Sequence, residues 1–412
     1  MKPRSSRFSV PERDGKSRRC FVERVPCSFA IVSLKTPPSV TTAAGPGTDV
    51  LFAYRGGREE LAPRIADGLA PDEFLYGLPE VRAAFPGTAF IESDFRGMFV
   101  RRLFKPFEMI TARLGFGLFF STIFLNRRTV ARARVIVATT DSLGVPFLIL
   151  KRLGLLRAEV VMVSQGLHSI EAERAHLPWV GALHGFLGRC IERSAALIAL
   201  GDGDAVAIRR SFADRRLPEI VTIQFGIDHA FWQPAEGADG GFVLSVGSDQ
   251  LRDYPTLISA IGELPLRLVT RLSLPAEAAR PTIQVLSKLE WPELRDLYQQ
   301  ARFVVTPVRD QPRDSGHSAT LQAMACGKAV ILSDTEGLWD RASMRHGETC
   351  YLVKPGDPAA MRDAITHLWA HPEEAARIGA NARRLVVEKY SSAGFGTRLA
   401  EVVRGALGGT SH

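Results

Sequence analysis

Along most of its length this chain alternates short apolar runs with helix-period segments, and that alternation leaves few folds open. Apolar runs begin with Asp49-Val-Leu-Phe-Ala-Tyr and recur at Val135–Ala138, Val160–Val163, Ala196–Leu200 and Ile220–Ile223. Helical spacing fills the gaps, notably over Leu143–Leu155 and Val180–Arg193. A short run with no polar alternation reads as a strand covered on both faces, and strands separated by helices imply a doubly wound parallel sheet. The small, polar, glycine-rich stretch Pro234–Gly241 then interrupts the pattern, as a linker does. A second alternation follows: strand Phe242–Val246, helix Tyr254–Gly262, strands Arg267–Thr270 and Thr282–Val285, helix Trp291–Ala301 and strand Phe303–Thr306. Helices at Asp357–Ala370 and Pro372–Glu388 close this half. The expected organisation is an extension over 1–47, flexible and rich in Arg, Ser and Pro; a domain over 48–234; a linker over 235–241; a second domain over 242–390; and a helix within 391–412.

Bulk numbers exclude several classes. A chain of 412 residues, 46% apolar and 23% charged, has room for two packed domains and is not of disordered composition. Fifty-two basic against 44 acidic residues fit a protein that meets anionic ligands or membrane surfaces, a balance that chains without such a role also show. Zinc-finger spacing, basic heptads and RNA-binding signatures are missing, so nucleic acid is not an expected partner. The five cysteines are odd in number and lack metal spacing, which reads as reduced thiols in a cytoplasmic protein. No apolar run reaches the roughly 18 residues of a membrane span. The longest, Leu114–Leu125, contains Ser121 and Thr122, and the basic N-terminus leads into no secretory apolar core.

The most informative stretch is Asp314–Asp334, DSGHSATLQAMACGKAVILSD. Leu321, Met324 and Ala325 fall at helical spacing, Gly327 suits a left-handed stop, and Ala329–Leu332 is a buried-strand run. The first N–H groups of such a helix have no partner within it and sit at the positive end of its dipole, where a phosphate could bind.

This stretch resembles the donor-nucleotide element of retaining GT-B glycosyltransferases, especially glycosyltransferase family 4 (group 1). The usual pattern there is an acidic residue, seven others, Glu, then AMACG and an apolar strand; Asp314 and Gln322 hold the two named positions. The run His346–Ser391 is similar to the family's C-terminal pattern, and Val221–Pro234 to its interdomain segment. The resemblance implies two Rossmann-like domains facing a cleft, transfer from a nucleoside-diphosphate sugar to a glycan or lipid-linked acceptor, and no obligatory metal or other cofactor.

The same resemblance implies roles. Backbone N–H groups of His317, Ser318, Ala319 and Thr320 hold the diphosphate, although the family has Gly where His317 stands, and His317 also reads as an ordinary loop histidine. Asp314 orients the donor sugar, or else caps the helix as a surface acid. Gln322 replaces the Glu that takes the ribose hydroxyls, keeping hydrogen-bonding capacity but losing charge. In the loop from Gly247, Ser248 takes the place of an Arg, while Arg252 matches a Lys and offers bidentate contacts to phosphate; the alternative for Arg252 is a solvated pair with Asp253. Gln165 stands where the first domain's catalytic-site histidine is expected, with His168 three residues on as a site residue or a loop residue. Asp228 reads as fixing the hinge turn.

From Phe95 to Arg134 basic residues far outnumber acids, with seven phenylalanines interleaved from Phe99 to Phe124. Such a segment suits peripheral contact with an inner membrane face, or a core helix with solvated basic flanks. Two rivals to a transferase follow from the departures at Ser248 and Gln322: a weakened GT-B scaffold that binds partners, and a nucleotide-sugar epimerase. Sugar, nucleotide, acceptor and oligomeric state are not legible; envelope or exopolysaccharide assembly is the pathway the family suggests.

Overall fold

The computed structural model describes residues 49–92, 98–113, 117–166, 178–237 and 239–408. The expectations for 1–47 and for His168 lie outside them.

Twelve strands among the described residues form two sheets, and all paired neighbours run parallel. β1 (Val50–Tyr54), β2 (Ala89–Glu92), β3 (Val135–Ala138), β4 (Glu159–Ser164), β5 (Ala196–Ala199) and β6 (Glu219–Thr222) lie in the order β2-β1-β3-β4-β5-β6. β7 (Val243–Val246), β8 (Leu266–Val269), β9 (Ile283–Leu286), β10 (Phe303–Thr306), β11 (Val330–Ser333) and β12 (Tyr351–Val353) lie in the order β12-β11-β10-β7-β8-β9. Each order reverses once, between β1 and β3 and between β7 and β10, and the crevice at such a reversal is where parallel sheets bind ligands. Two Rossmann-like lobes of this kind are the GT-B architecture.

β1, β3, β5, β10 and β11 are buried at every residue, which is why they read as uninterrupted apolar runs. The two strands not expected from the sequence are both edges. β2 alternates buried with half-buried residues, and β12 has only three residues, so neither gives a run long enough to stand out. Several helices are also unexpected, among them Arg58–Ala66, Leu78–Ala84 and Asp202–Ser211. The helix expected at Leu143–Leu155 spans Asp141–Arg152 instead, turning at Gly154 in the left-handed region.

The lobes are joined by two crossings that lie side by side. The Ile227 N–H donates to the Tyr390 carbonyl at 2.6 Å, and the Ser392 N–H donates to the Ile227 carbonyl at 3.1 Å. Beyond them the helix Ser392–Gly408 packs on the Leu78–Ala84 helix of the first lobe, so close that a Cβ on Gly77 would lie 2.4 Å from the Gly396 Cα. The helix His317–Ala325 ends in a Schellman turn: Gly327 has φ +75°, its N–H donates to the Met324 carbonyl, and the Lys328 N–H donates to the Ala323 carbonyl. Against this turn the Pro372–Lys389 helix brings Gly379, whose Cβ would stand 2.1 Å from the Gly327 carbonyl oxygen.

Gly379→Ala therefore forces two backbones apart and should cost about 2 kcal/mol. Gly405→Ala, on an exposed helical position with nothing within 4 Å, should instead stabilise by about 0.5–1 kcal/mol through helix propensity. Thermal midpoints of the two variants, moving in opposite directions, check this.

Candidate active site

At the reversal point of the second sheet, β7 runs into Gly247 and the loop that carries Arg252. Asp253 does not pair with Arg252. Its carboxylate accepts from the Thr256 hydroxyl at 2.6 Å and caps the Tyr254–Ala260 helix. Backbone bonding to the next strand's exit fixes the loop: the Asp253 N–H donates to the Pro307 carbonyl and the Arg309 N–H to the Leu251 carbonyl. Arg252 itself is 5% exposed, and its Nε and Nη1 are buried without a hydrogen-bond partner among the described residues. Burial pulls its pKa down, opposed by the nearby Tyr254, Tyr298 and Asp249. Asp249, the acid among them, is 43% exposed and lies 3.7 Å from Arg313.

Two glycines make room for this cation. Gly247 has φ +151°, and a Cβ there would stand 2.2 Å from Arg252 Nε. Gly316 has φ +88°, and a Cβ there would meet Thr306 at 2.7 Å and Arg252 Nη1 at 3.1 Å. Gly316 is the N-cap of the His317–Ala325 helix and supplies no side-chain cap. The guanidinium thus lies against a bare helix start. The N–H groups of His317, Ser318 and Ala319 have no acceptor among the described residues. Thr320 is different, and its expected role is corrected: its N–H already donates to the Gly316 carbonyl at 3.0 Å, and its hydroxyl faces Thr306 inside the lobe. The Ser248 hydroxyl accepts the Arg271 N–H at 3.0 Å and keeps its own hydrogen to donate.

Asp314 and His317 lie one step further along the same loop, both under the first lobe. The turn Gly201–Asp204, which follows β5, presses on the second lobe at Trp339. The Asp202 N–H donates to the Trp339 carbonyl at 2.7 Å, and a Cβ on Gly201 would stand 2.5 Å from Trp339. The Asp314 N–H donates to Asp204 Oδ1 at 3.5 Å, and Trp339 stands edge-on to His317 at 4.3 Å. Burial, then the neighbouring Asp204 carboxylate, holds Asp314 well above the usual carboxylate range. His317 Nε2 is 3.1 Å from Asp314 Oδ2 but misaligned for a hydrogen bond, and burial pushes the imidazole down to about 3. A neutral imidazole makes this a contact rather than an ion pair.

Gln322 is buried and points at the first lobe. Its Nε2–H donates to Glu73 Oε1 at 2.9 Å, while its Oε1 accepts from the Tyr298 hydroxyl at 3.3 Å. Glu73 also accepts from the Trp232 indole at 2.9 and 3.1 Å and from the Asp228 N–H at 3.0 Å. Burial pushes this carboxyl up to about 8 against those three donors. Asp228 holds the hinge turn, accepting from the Ala230 and Phe231 N–H groups. Around it Phe74 stacks on Trp291 at 5.3 Å and Trp232 meets Tyr298 at 5.7 Å, so apolar rings keep water from this carboxylate. A second carboxylate at 322 would face Glu73 directly, which gives the departure from Glu a physical cause.

In the first lobe Gly56 and Gly57 turn β1 into the Arg58–Ala66 helix, and the Arg58 N–H donates to Glu92 Oε2 at 2.6 Å. Gln165 is tied inside, donating to the Tyr76 hydroxyl at 2.9 Å and the Thr139 carbonyl at 3.2 Å. Glu73, Asp204 and Trp339 were not expected from the sequence; each acts across the lobe boundary, which no local pattern encodes. Among the described residues no group of three or more His, Cys, Asp or Glu is placed to hold a metal. A cleft of about 610 Å³ lies elsewhere, lined by Glu159, Ala196 and Glu219 at the amino ends of β4, β5 and β6 and by Arg398 and Glu401. Strand amino ends are not where such sheets bind ligands, so the Arg252 site is the stronger candidate.

Residues 251–371 match the family described as glycosyl transferases group 1. The chain is similar to D-rhamnosyltransferase WbpZ of Pseudomonas aeruginosa, 31% identical over 130 residues, 32% of this chain and 33% of that protein. It is also similar to alpha-maltose-1-phosphate synthase of Mycolicibacterium smegmatis, 24% identical over 252 residues, 52% of this chain and 64% of that protein. The chain thus spans between about a third and two thirds of the length of these two relatives. Sucrose-phosphate synthase of Thermosynechococcus elongatus shares the fold with a TM-score of 0.63 at 16% identity, over 88% of this chain and all of that one. So does Anabaena HepE in complex with UDP-glucose, with a TM-score of 0.63 at 15% identity, over 86% of this chain and 99% of that one.

Gln322→Glu should lose about 3 kcal/mol at pH 8, because two buried carboxylates then share one site, and less at pH 6, where protons are cheaper to hold. Adding Glu73→Gln should restore most of that loss. In the wild type, Glu73 is raised in the folded state, so its stabilising contribution is complete below about pH 4.5 and fades as pH climbs to about 8. Glu73→Gln should flatten the pH dependence across that window, as thermal midpoints measured at successive pH values will show.

Proposed function

We propose that this chain, which carries a group 1 glycosyl transferase domain on a GT-B frame, is a glycosyltransferase that takes a sugar from a nucleoside-diphosphate donor. The carrying observation is Arg252: a buried guanidinium whose Nε and Nη1 have no hydrogen-bond partner among the described residues, lying against the uncapped start of a helix. A charge in that position is costly to the free protein unless an anion completes it. Guanidinium forks and helix-start amides both match phosphate oxygens. A pyrophosphate bridging Arg252 and the amides of His317, Ser318 and Ala319 satisfies both sets at once.

In the proposed reaction those groups stabilise the negative charge that grows on the leaving diphosphate, and they are in place before it forms. Asp314 orients the sugar. Because the Gly201–Asp204 turn covers Asp314, the lobes part at that contact to admit the donor and close over it, excluding water from the reacting carbon. Transfer goes to an acceptor hydroxyl with retention of the anomeric configuration and with the departing phosphate assisting on the same face, as the family 4 resemblance suggests. The relatives' printed activities, rhamnosyl transfer and maltose-1-phosphate synthesis, support a hexosyl donor. A scaffold without ligand leaves the buried guanidinium unexplained, and Gln322 is accounted for by Glu73, so the departures from the family pattern do not favour that rival.

Arg252→Met separates binding from stability. Replacing an unpaired buried charge with an apolar chain of similar length should raise the thermal midpoint of the free protein, by about 1–4 kcal/mol in stability. The same change should weaken calorimetric binding of UDP or another nucleoside diphosphate by about a hundredfold or more. Gly247→Ala, by displacing the guanidinium, should weaken binding without removing the charge. Unchanged affinity in both variants rejects the site.

A further inference from the structure

The helix Met98–Arg113 follows β2 and carries a largely exposed apolar stripe, in which Phe107 also meets the Phe120 ring at 5.7 Å. Leu103, Phe107 and Ile110, at i, i+4 and i+7, are 73%, 45% and 54% exposed. The neighbouring stripe, one residue on and about 100° round the helix, faces inward. Thr111 is buried and accepts the Leu118 N–H, Glu108 accepts the Ser121 N–H at 2.9 Å, and Phe104 lies 5.8 Å from Phe124. The Phe120–Leu125 helix extends the exposed surface with Phe124, 47% exposed, under the Arg127 guanidinium at 5.3 Å. Arg102 and Lys105 stand exposed on the same helix and Arg128 on the short helix Arg127–Val130, while the Glu108 carboxylate accepts the Ser121 N–H.

We propose that this face docks on the surface of an anionic lipid bilayer. Exposed apolar side chains on one helix stripe can enter the headgroup boundary while flanking cations meet acidic headgroups. A second copy of this chain fits less well, because a two-fold contact sets the patch against itself and brings cations onto cations. The location gives the contact a use. The Phe119 N–H donates to the Ser142 carbonyl, and Arg55, just after β1, stacks over the Phe119 ring at 5.3 Å, so this helical pair flanks the carboxyl ends of β1 and β3. There a docked molecule takes its acceptor from the membrane as a lipid-borne glycan, a step that rests on the transferase reading, as docking itself does not.

The test is co-sedimentation of the full chain with vesicles of phosphatidylcholine, alone or mixed with phosphatidylglycerol. Binding is expected only to the mixed vesicles and should fall as salt rises. The variant Leu103→Glu/Phe107→Glu/Ile110→Glu should lose it, while keeping the affinity for UDP of the parent. Arg102→Gln/Lys105→Gln, milder for folding, should lower partitioning about thirtyfold. Equal binding to both vesicle types, or to neither, overturns the proposal. So does a wild-type dimer in gel filtration that the triple variant converts to monomer, which assigns the face to a second copy. Loss of UDP affinity in every form of the protein, with vesicle binding intact, faults the donor site alone.

Discussion

A buried positive charge whose Nε and Nη1 have no hydrogen-bond partner among the described residues is the constraint around which the second lobe is arranged. Arg252 is reached only because Gly247 and Gly316 both adopt positive φ and leave no Cβ in its way. Gly316 has a second consequence, since it starts the next helix without a side-chain cap and leaves its amides open. Gly316 therefore both admits the cation and exposes the donors. Such an arrangement lowers the stability of the free lobe and is favourable only when an anion is present.

The lobe boundary shows a related economy in its carboxylates. Two of them, Glu73 and Asp204, approach the second lobe at the two positions that the family pattern makes acidic. At one, the second lobe offers an amide, Gln322, and the contact is a set of matched donors and acceptors. At the other it offers Asp314, whose carboxyl is raised by burial and then by the Asp204 carboxylate beside it. Both contacts are weakened as pH rises, since burial raises the Glu73 and the Asp314 carboxyls and stability is lost on their deprotonation.

Most strands were legible because parallel strands buried on both faces leave uninterrupted apolar runs; β3 and β10 fall where Val135–Ala138 and Phe303–Thr306 were expected. β2 and β12 were not, because an edge strand needs fewer apolar residues. Within the candidate site, local sequence pointed to Arg252 and the helix start because each belongs to a single loop or turn. It misplaced Thr320 by one position in the helix, since the fourth amide already reaches the Gly316 carbonyl. Glu73, Asp204 and Trp339 were illegible for a different reason. Their partners are far away in the chain, so only the packing of the lobes reveals them.

The most direct test is a crystal structure of the protein with UDP bound. The account predicts pyrophosphate oxygens within hydrogen-bonding distance of Arg252 Nε and Nη1 and of the His317, Ser318 and Ala319 amides. Pyrophosphate found beside Arg398, in the cleft at the amino ends of β4 to β6, with Arg252 still unpartnered, would contradict it.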